Sequence, residues 1–117
     1  MPDDIHSGMN GEMHECLHNC EECHDICLQT ITHCLTKGGP HAAADHIRLL
    51  LDCVSICHTS ADFMLRGSPL HKHTCRACAE VCTKCAEDCE GMGEDEQMRK
   101  CAEACRRCAE TCRKMAA

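Results

Sequence analysis

The chain has no tryptophan, no tyrosine and one phenylalanine among its 117 residues. Long aliphatic side chains are also scarce: five Ile, eight Leu and two Val. A chain this long can build one domain around one core, and such a core is ordinarily filled by the residues missing here. No basic stripe or aromatic platform is present and the net charge is −7, which excludes the usual phosphate-and-stacking modes of nucleic-acid recognition. No apolar run reaches the ~18 residues that mark a membrane-spanning helix. There is no Ser/His/Asp order, no phosphate loop and no inward-facing carboxylate pair, so no catalytic set is evident. The start, Met1-Pro2-Asp3-Asp4-Ile5-His6, lacks the basic and apolar regions of a secretory leader. The expectation is a cytoplasmic protein with reduced thiols.

What fills the gap is cysteine. Sixteen are present: Cys16, Cys20, Cys23, Cys27, Cys34, Cys53, Cys57, Cys75, Cys78, Cys82, Cys85, Cys89, Cys101, Cys105, Cys108 and Cys112. Within each cluster they step by three and four, the spacing that returns to one face of an α-helix. The thiols therefore form stripes where leucine would normally sit, and a reduced thiol packs as a small hydrophobe.

Breakers divide the chain into four helical segments. Residues 1–10 read as a mobile polar tail, with residues 11–117 as the folded domain. Asn10 can cap a first helix that runs to about Lys37 and stops at Gly38-Gly39-Pro40. A second helix is expected from about His41 to Arg66. Gly67-Ser68-Pro69 then supplies a stop, an N-cap and a proline for the first turn of a third helix ending near Glu90. Gly91-Met92-Gly93 breaks that helix, and Glu94-Asp95-Glu96 places negative charge at the start of a fourth. Short loops make neighbours antiparallel, so the fold class is all-α, an up-down-up-down four-helix bundle with a cysteine-lined core. The seams read as heptads. Cys-Ala-Glu recurs at 78–80, 85–87, 101–103 and 108–110.

Seven Cys-x-x-x-Cys units emerge: 16/20, 23/27, 53/57, 78/82, 85/89, 101/105 and 108/112, with Cys34 and Cys75 over. Side chains at i and i+4 stand one above the other, close enough to grip one ion of low coordination number. Copper(I) is the soft, thiolate-seeking ion that suits such pairs. One Cu(I) per thiolate leaves a neutral core, whereas each isolated zinc–tetrathiolate site leaves −2 in the interior. Zinc also favours four ligands from two short clusters, and the Cys-Pro run of iron–sulfur proteins is missing. Glu15-x-x-His18 and Glu21-x-x-His24 match half of a di-iron pattern, but both histidines fall off the seam and no partner motif exists.

Met13, Met64, His71 and Met115 lie on seams at one projected end, the end with both termini, and read as weaker copper ligands. The opposite end carries Cys34, His46, Met92 and Met98, partly plugged by Leu50 and its neighbours. Two other readings stay open: a zinc or cadmium buffer of metallothionein type, and a thiol redox protein. Against the latter, paired thiols on one rigid helix aim their Cβ vectors poorly for a disulfide.

From about Met13 to Met115 the chain resembles the bacterial four-helix-bundle copper storage proteins, on the repeated Cys-x-x-x-Cys units. The resemblance implies a bundle filled with thiolates holding many Cu(I) ions, in a cytosolic member forming a homotetramer. It also implies that Met13, Met64, His71 and Met115 are where copper is admitted. The second helix departs from this pattern, with one thiol pair and Leu50 in a possible ligand position.

Overall fold

The computed structural model describes residues 9–117. Most of the expected N-terminal tail lies outside the described residues. Four long helices follow in order: α1 (Gly11–Lys37), α2 (Ala44–Leu65), α3 (His71–Glu90) and α4 (Glu96–Ala116), with a 3₁₀ turn at Gly39–Ala42 before α2. Each packs on its two neighbours around a ring, α1 on α2 and α4, α3 on α2 and α4. The result is the up-down-up-down bundle that the short loops require. Its long dimension is 46 Å, against the ~40 Å that 27 helical residues span.

The helix ends are specified locally. The Asn10 side chain accepts from Met13 N–H at 2.8 Å and starts α1. Asp95 accepts from the N–H groups of Gln97 (3.0 Å) and Met98 (3.2 Å) and starts α4. At the end of α2, Ser68 N–H reaches Phe63 O and Gly67 N–H reaches Met64 O. This is a Schellman closure; it needs a residue at φ 69°, and Gly67 supplies it.

Two helix starts differ from expectation. α2 begins at Ala44 rather than near His41, because Gly39–Ala42 winds as a 3₁₀ turn closed by Ala43 N–H to Pro40 O. α3 begins at His71 rather than at Pro69. Ser68 Oγ does accept from Leu70 N–H (3.1 Å), but the following turn is tight, with His71 N–H on Ser68 O and His73 N–H on Leu70 O.

The interior is sulfur bounded by alanine. In each Cys-Ala-Glu triplet the cysteine and the alanine are buried and the glutamate is exposed. Leu17, Leu50, Met64 and Met98 are the large apolar side chains fully enclosed with the thiols. Asn19 Nδ2 donates to Thr111 Oγ1 across α1 and α4 (3.3 Å). On the surface, Arg106 forks onto Glu90 (2.8 and 3.0 Å) and Arg107 meets Glu22 (3.2 Å), exposed pairs of small energetic weight.

Candidate metal centre

All sixteen cysteines are free and buried. The heptad register explains this, since steps of three and four keep every sulfur on the face turned to the bundle axis. Twelve of the sulfurs form one continuous file. It runs from Cys16 to Cys112 (3.6 Å), on through Cys20 (3.6 Å) to Cys108 (3.7 Å), and from there to Cys57 and Cys78 (3.8 Å each). Cys82 follows, 3.7 Å from Cys57, then Cys53 (3.6 Å), Cys23 (3.7 Å), Cys105 (3.7 Å from Cys23), Cys27 (3.9 Å from Cys105) and Cys101 (3.7 Å).

Most of these contacts cross between helices. Within Cys-x-x-x-Cys units, Cys23–Cys27 (3.9 Å) and Cys78–Cys82 (3.7 Å) touch directly. The pairs combine into quartets whose sulfurs all lie within 4.8 Å of one another. Cys108 and Cys112 join Cys20 and Cys78; Cys53 and Cys57 join Cys23 and Cys82; Cys101 and Cys105 join Cys27 and Cys85. These three share no residue. Two further quartets, Cys23/Cys27/Cys53/Cys105 and Cys57/Cys78/Cys82/Cys108, overlap them and fill the gaps between. The sequence pairs are thus edges of larger groups, and most sulfurs in the middle of the file belong to two groups at once.

This arrangement bears on the choice of metal. A zinc tetrathiolate with ~2.3 Å bonds has sulfur–sulfur edges of ~3.8 Å, so a single quartet fits zinc geometrically. Overlap is what single closed sites do not use: a sulfur shared by two groups is placed to bridge two ions. At Cys34 and Cys89 the metal-free thiols favour protonation. Burial pushes Cys34 up to about 11. Hydrogen bonding to Cys101 and Cys85, with burial added, holds Cys89 far above the ordinary thiol value.

The ends of the file differ. Met64 is fully buried, while Met13, His71 and Met115 are half-buried at the end with the termini. His71 is tied to its own turn, its Nδ1 2.8 Å from Ser68 O. At the other end Cys34 Sγ lies 3.3 Å from His46 Nε2 and 3.5 Å from Met98 Sδ. His46 Nδ1 makes a short hydrogen bond to the Asp88 carboxylate. Close by in the chain, Asp95 Oδ2 gathers His33 (3.0 Å), His41 (3.1 Å) and Lys37 (3.2 Å). The His33 hydrogen bond, backed by Met98 N–H and Lys37, holds the Asp95 carboxyl well below the usual carboxylate range. Asp88 and the partners of Asp95 escape sequence reasoning, because the contacts join helices and follow no period.

The sequence pattern of the copper storage proteins matches residues 9–117. The chain belongs to the copper storage protein family. Among solved structures it is similar to a protein of Nitrosospira multiformis at 44% identity and TM-score 0.85, covering 90% of this chain and 94% of that one. It is similar to the Cu(I)-bound copper storage protein of Bacillus subtilis at 35% identity and TM-score 0.83, covering 91% and 99%. A Streptomyces lividans copper storage protein loaded with 10 copper equivalents is similar at 29% identity and TM-score 0.82, covering 99% and 92%. No curated protein sequence matches the chain. Family membership gives the chain a role in copper storage.

Proposed function

We propose that this chain stores copper(I) in the cytoplasm, with residues 11–117 as the storage unit. The observation that carries the reading is the continuous file of buried sulfurs, shared between overlapping quartets. All sixteen cysteines bind as thiolates, each releasing a proton to solvent as an ion arrives. Shared thiolates bridge neighbouring ions, so about one Cu(I) per thiolate balances the charge of an interior in which no lysine or arginine is buried among the described residues. Met13, Met64, His71 and Met115 act as neutral, weaker ligands that pass ions to the thiolates at the end with the termini. The Streptomyces lividans relative is described as cytosolic, which supports the location, and reduced thiols require such a compartment. The exposed Leu28, Leu35 and Leu51 on α1 and α2 support self-association, which sedimentation analysis tests.

Anaerobic titration of the apoprotein with Cu(I) against a competing chelator, followed by elemental analysis, tests the reading. The expected saturation is about sixteen ions per chain. Saturation at about four, with zinc retained in competition, would establish a zinc buffer instead. That second reading draws on the quartet edges, which suit tetrahedral zinc, and on the three quartets that share no residue. It leaves about −2 in the core at each site, which is its physical cost.

A further inference from the structure

Where α1 ends and α4 begins, three soft donors from three helices converge. Cys34 Sγ on α1 stands 3.3 Å from His46 Nε2 on α2 and 3.5 Å from Met98 Sδ on α4. Cys34 and Met98 have no exposed surface and His46 has 3%. On α1 the thiol file has already stopped. The seam residue between Cys27 and Cys34 is Thr30, whose hydroxyl is spent on Ile26 O (2.7 Å) and on Gln97 Nε2 (2.9 Å). The imidazole is oriented from behind: Nδ1–H donates to the Asp88 carboxylate of α3, which leaves the Nε2 lone pair facing Cys34. A carboxylate behind a histidine in this way fixes tautomer and ring orientation and raises the basicity of the ligating nitrogen.

We infer that Cys34, His46 and Met98 form a discrete three-coordinate site for a single copper(I) ion, with Asp88 as its positioning residue. The ion's identity rests on the storage reading above. Binding exchanges one proton for one metal: the Cys34 S–H gives its proton to solvent, and a sulfur–copper bond forms with Nε2 and Sδ completing the shell. Thiolate and Cu(I) cancel, so a neutral unit occupies a buried place. A divalent ion would leave a net charge there and would lack a fourth ligand. Two neutral donors bind less strongly than bridging thiolates, so this site fills last and empties first.

Full-length protein labelled with ¹⁵N and loaded stepwise with Cu(I) under anaerobic conditions tests the proposal through long-range ¹H–¹⁵N correlations of His46. The Nε2 resonance should move only as the last equivalent binds, while Nδ1 keeps its proton. His46→Gln should saturate about one ion below the wild type. Asp88→Asn should keep the wild-type count at excess copper, weaken the last ion by about 10- to 100-fold and remove the Nδ1–H tautomer preference. An unmoved Nε2 in wild-type protein that otherwise loads about sixteen ions would overturn this site and leave the storage reading intact. Wild-type uptake of only a few ions would sink the storage reading and this site with it. A response of Nε2 from the first equivalents, or the loss of several ions in His46→Gln, would make His46 part of the thiolate cluster and end the claim of a discrete site.

Discussion

Cys57→Ala separates shared from closed metal sites with one atom. The Cys57 sulfur lies 3.7 Å from Cys82 and 3.8 Å from both Cys78 and Cys108, and it belongs to two overlapping quartets. If thiolates are shared and each brings about one Cu(I), its loss lowers capacity from about sixteen to about fifteen, roughly 6%. If metal instead sits in closed tetrahedra, the arithmetic changes. Of the three quartets that share no residue, one contains Cys57. Sixteen thiols fill at most about four closed tetrathiolate sites, and the roughly fifteen left without Cys57 fill at most about three. Capacity would then fall by a whole site, a loss of about one quarter. The apoprotein should tolerate the change, because deleting one buried heavy atom costs about 1 kcal/mol. The assay is elemental analysis after saturating anaerobic titration and gel filtration, with circular dichroism to confirm the fold. A capacity loss of about one quarter or more in folded protein would refute the shared-thiolate reasoning.

The apoprotein should be helical before any metal arrives, since the caps are local and protonated thiols pack as apolar groups; a random-coil far-ultraviolet spectrum would contradict this. His71→Ala combined with Met64→Leu and Met115→Leu should slow copper uptake and chelator-driven removal and leave capacity nearly unchanged, as followed by stopped-flow absorbance; an unchanged rate would move the point of admission elsewhere. Asp95→Asn keeps a good N-cap but loses the charge-assisted bonds to His33, Lys37 and His41, and should cost about 1–2 kcal/mol at pH 7 in urea unfolding. The Asp95 carboxyl is held below its ordinary value. Its contribution is therefore complete above the unfolded-state value of about 4 and fades as pH falls through the lower native value. The gap between wild type and variant should close in acid; a gap that widens would reverse the assigned sign.

The bundle was legible because cysteine at steps of three and four leaves little freedom in the choice of face. Every seam cysteine that the period marks is buried. The starts of α2 and α3 were less legible. Proline and glycine announce a break, but not whether the next turn closes at i+3 or i+4, and both starts contain tight turns. Grouping of the thiols was half legible. The i, i+4 pairs stand in the sequence, whereas their assembly into quartets depends on how four helices are set against one another. The seams place His46 at the same end of the bundle as Cys34 and Met98, but not in contact with either. Asp88 behind it and the direct contact with Cys34 in front join different helices, so no spacing within one segment could show them.

The Cys-Ala-Glu triplet assigns its three letters to three separate tasks. The first faces the cargo, the second closes against the neighbouring wall, the third meets water, and the same word is written twice in α3 and twice in α4. Scaffold and store are thus spelled independently. Drift in the first letter can change how much metal a bundle holds without loosening its walls, and drift in the third can retune the surface without touching either. A vocabulary of this kind lets a lineage adjust its inventory one letter at a time and keep the same vessel.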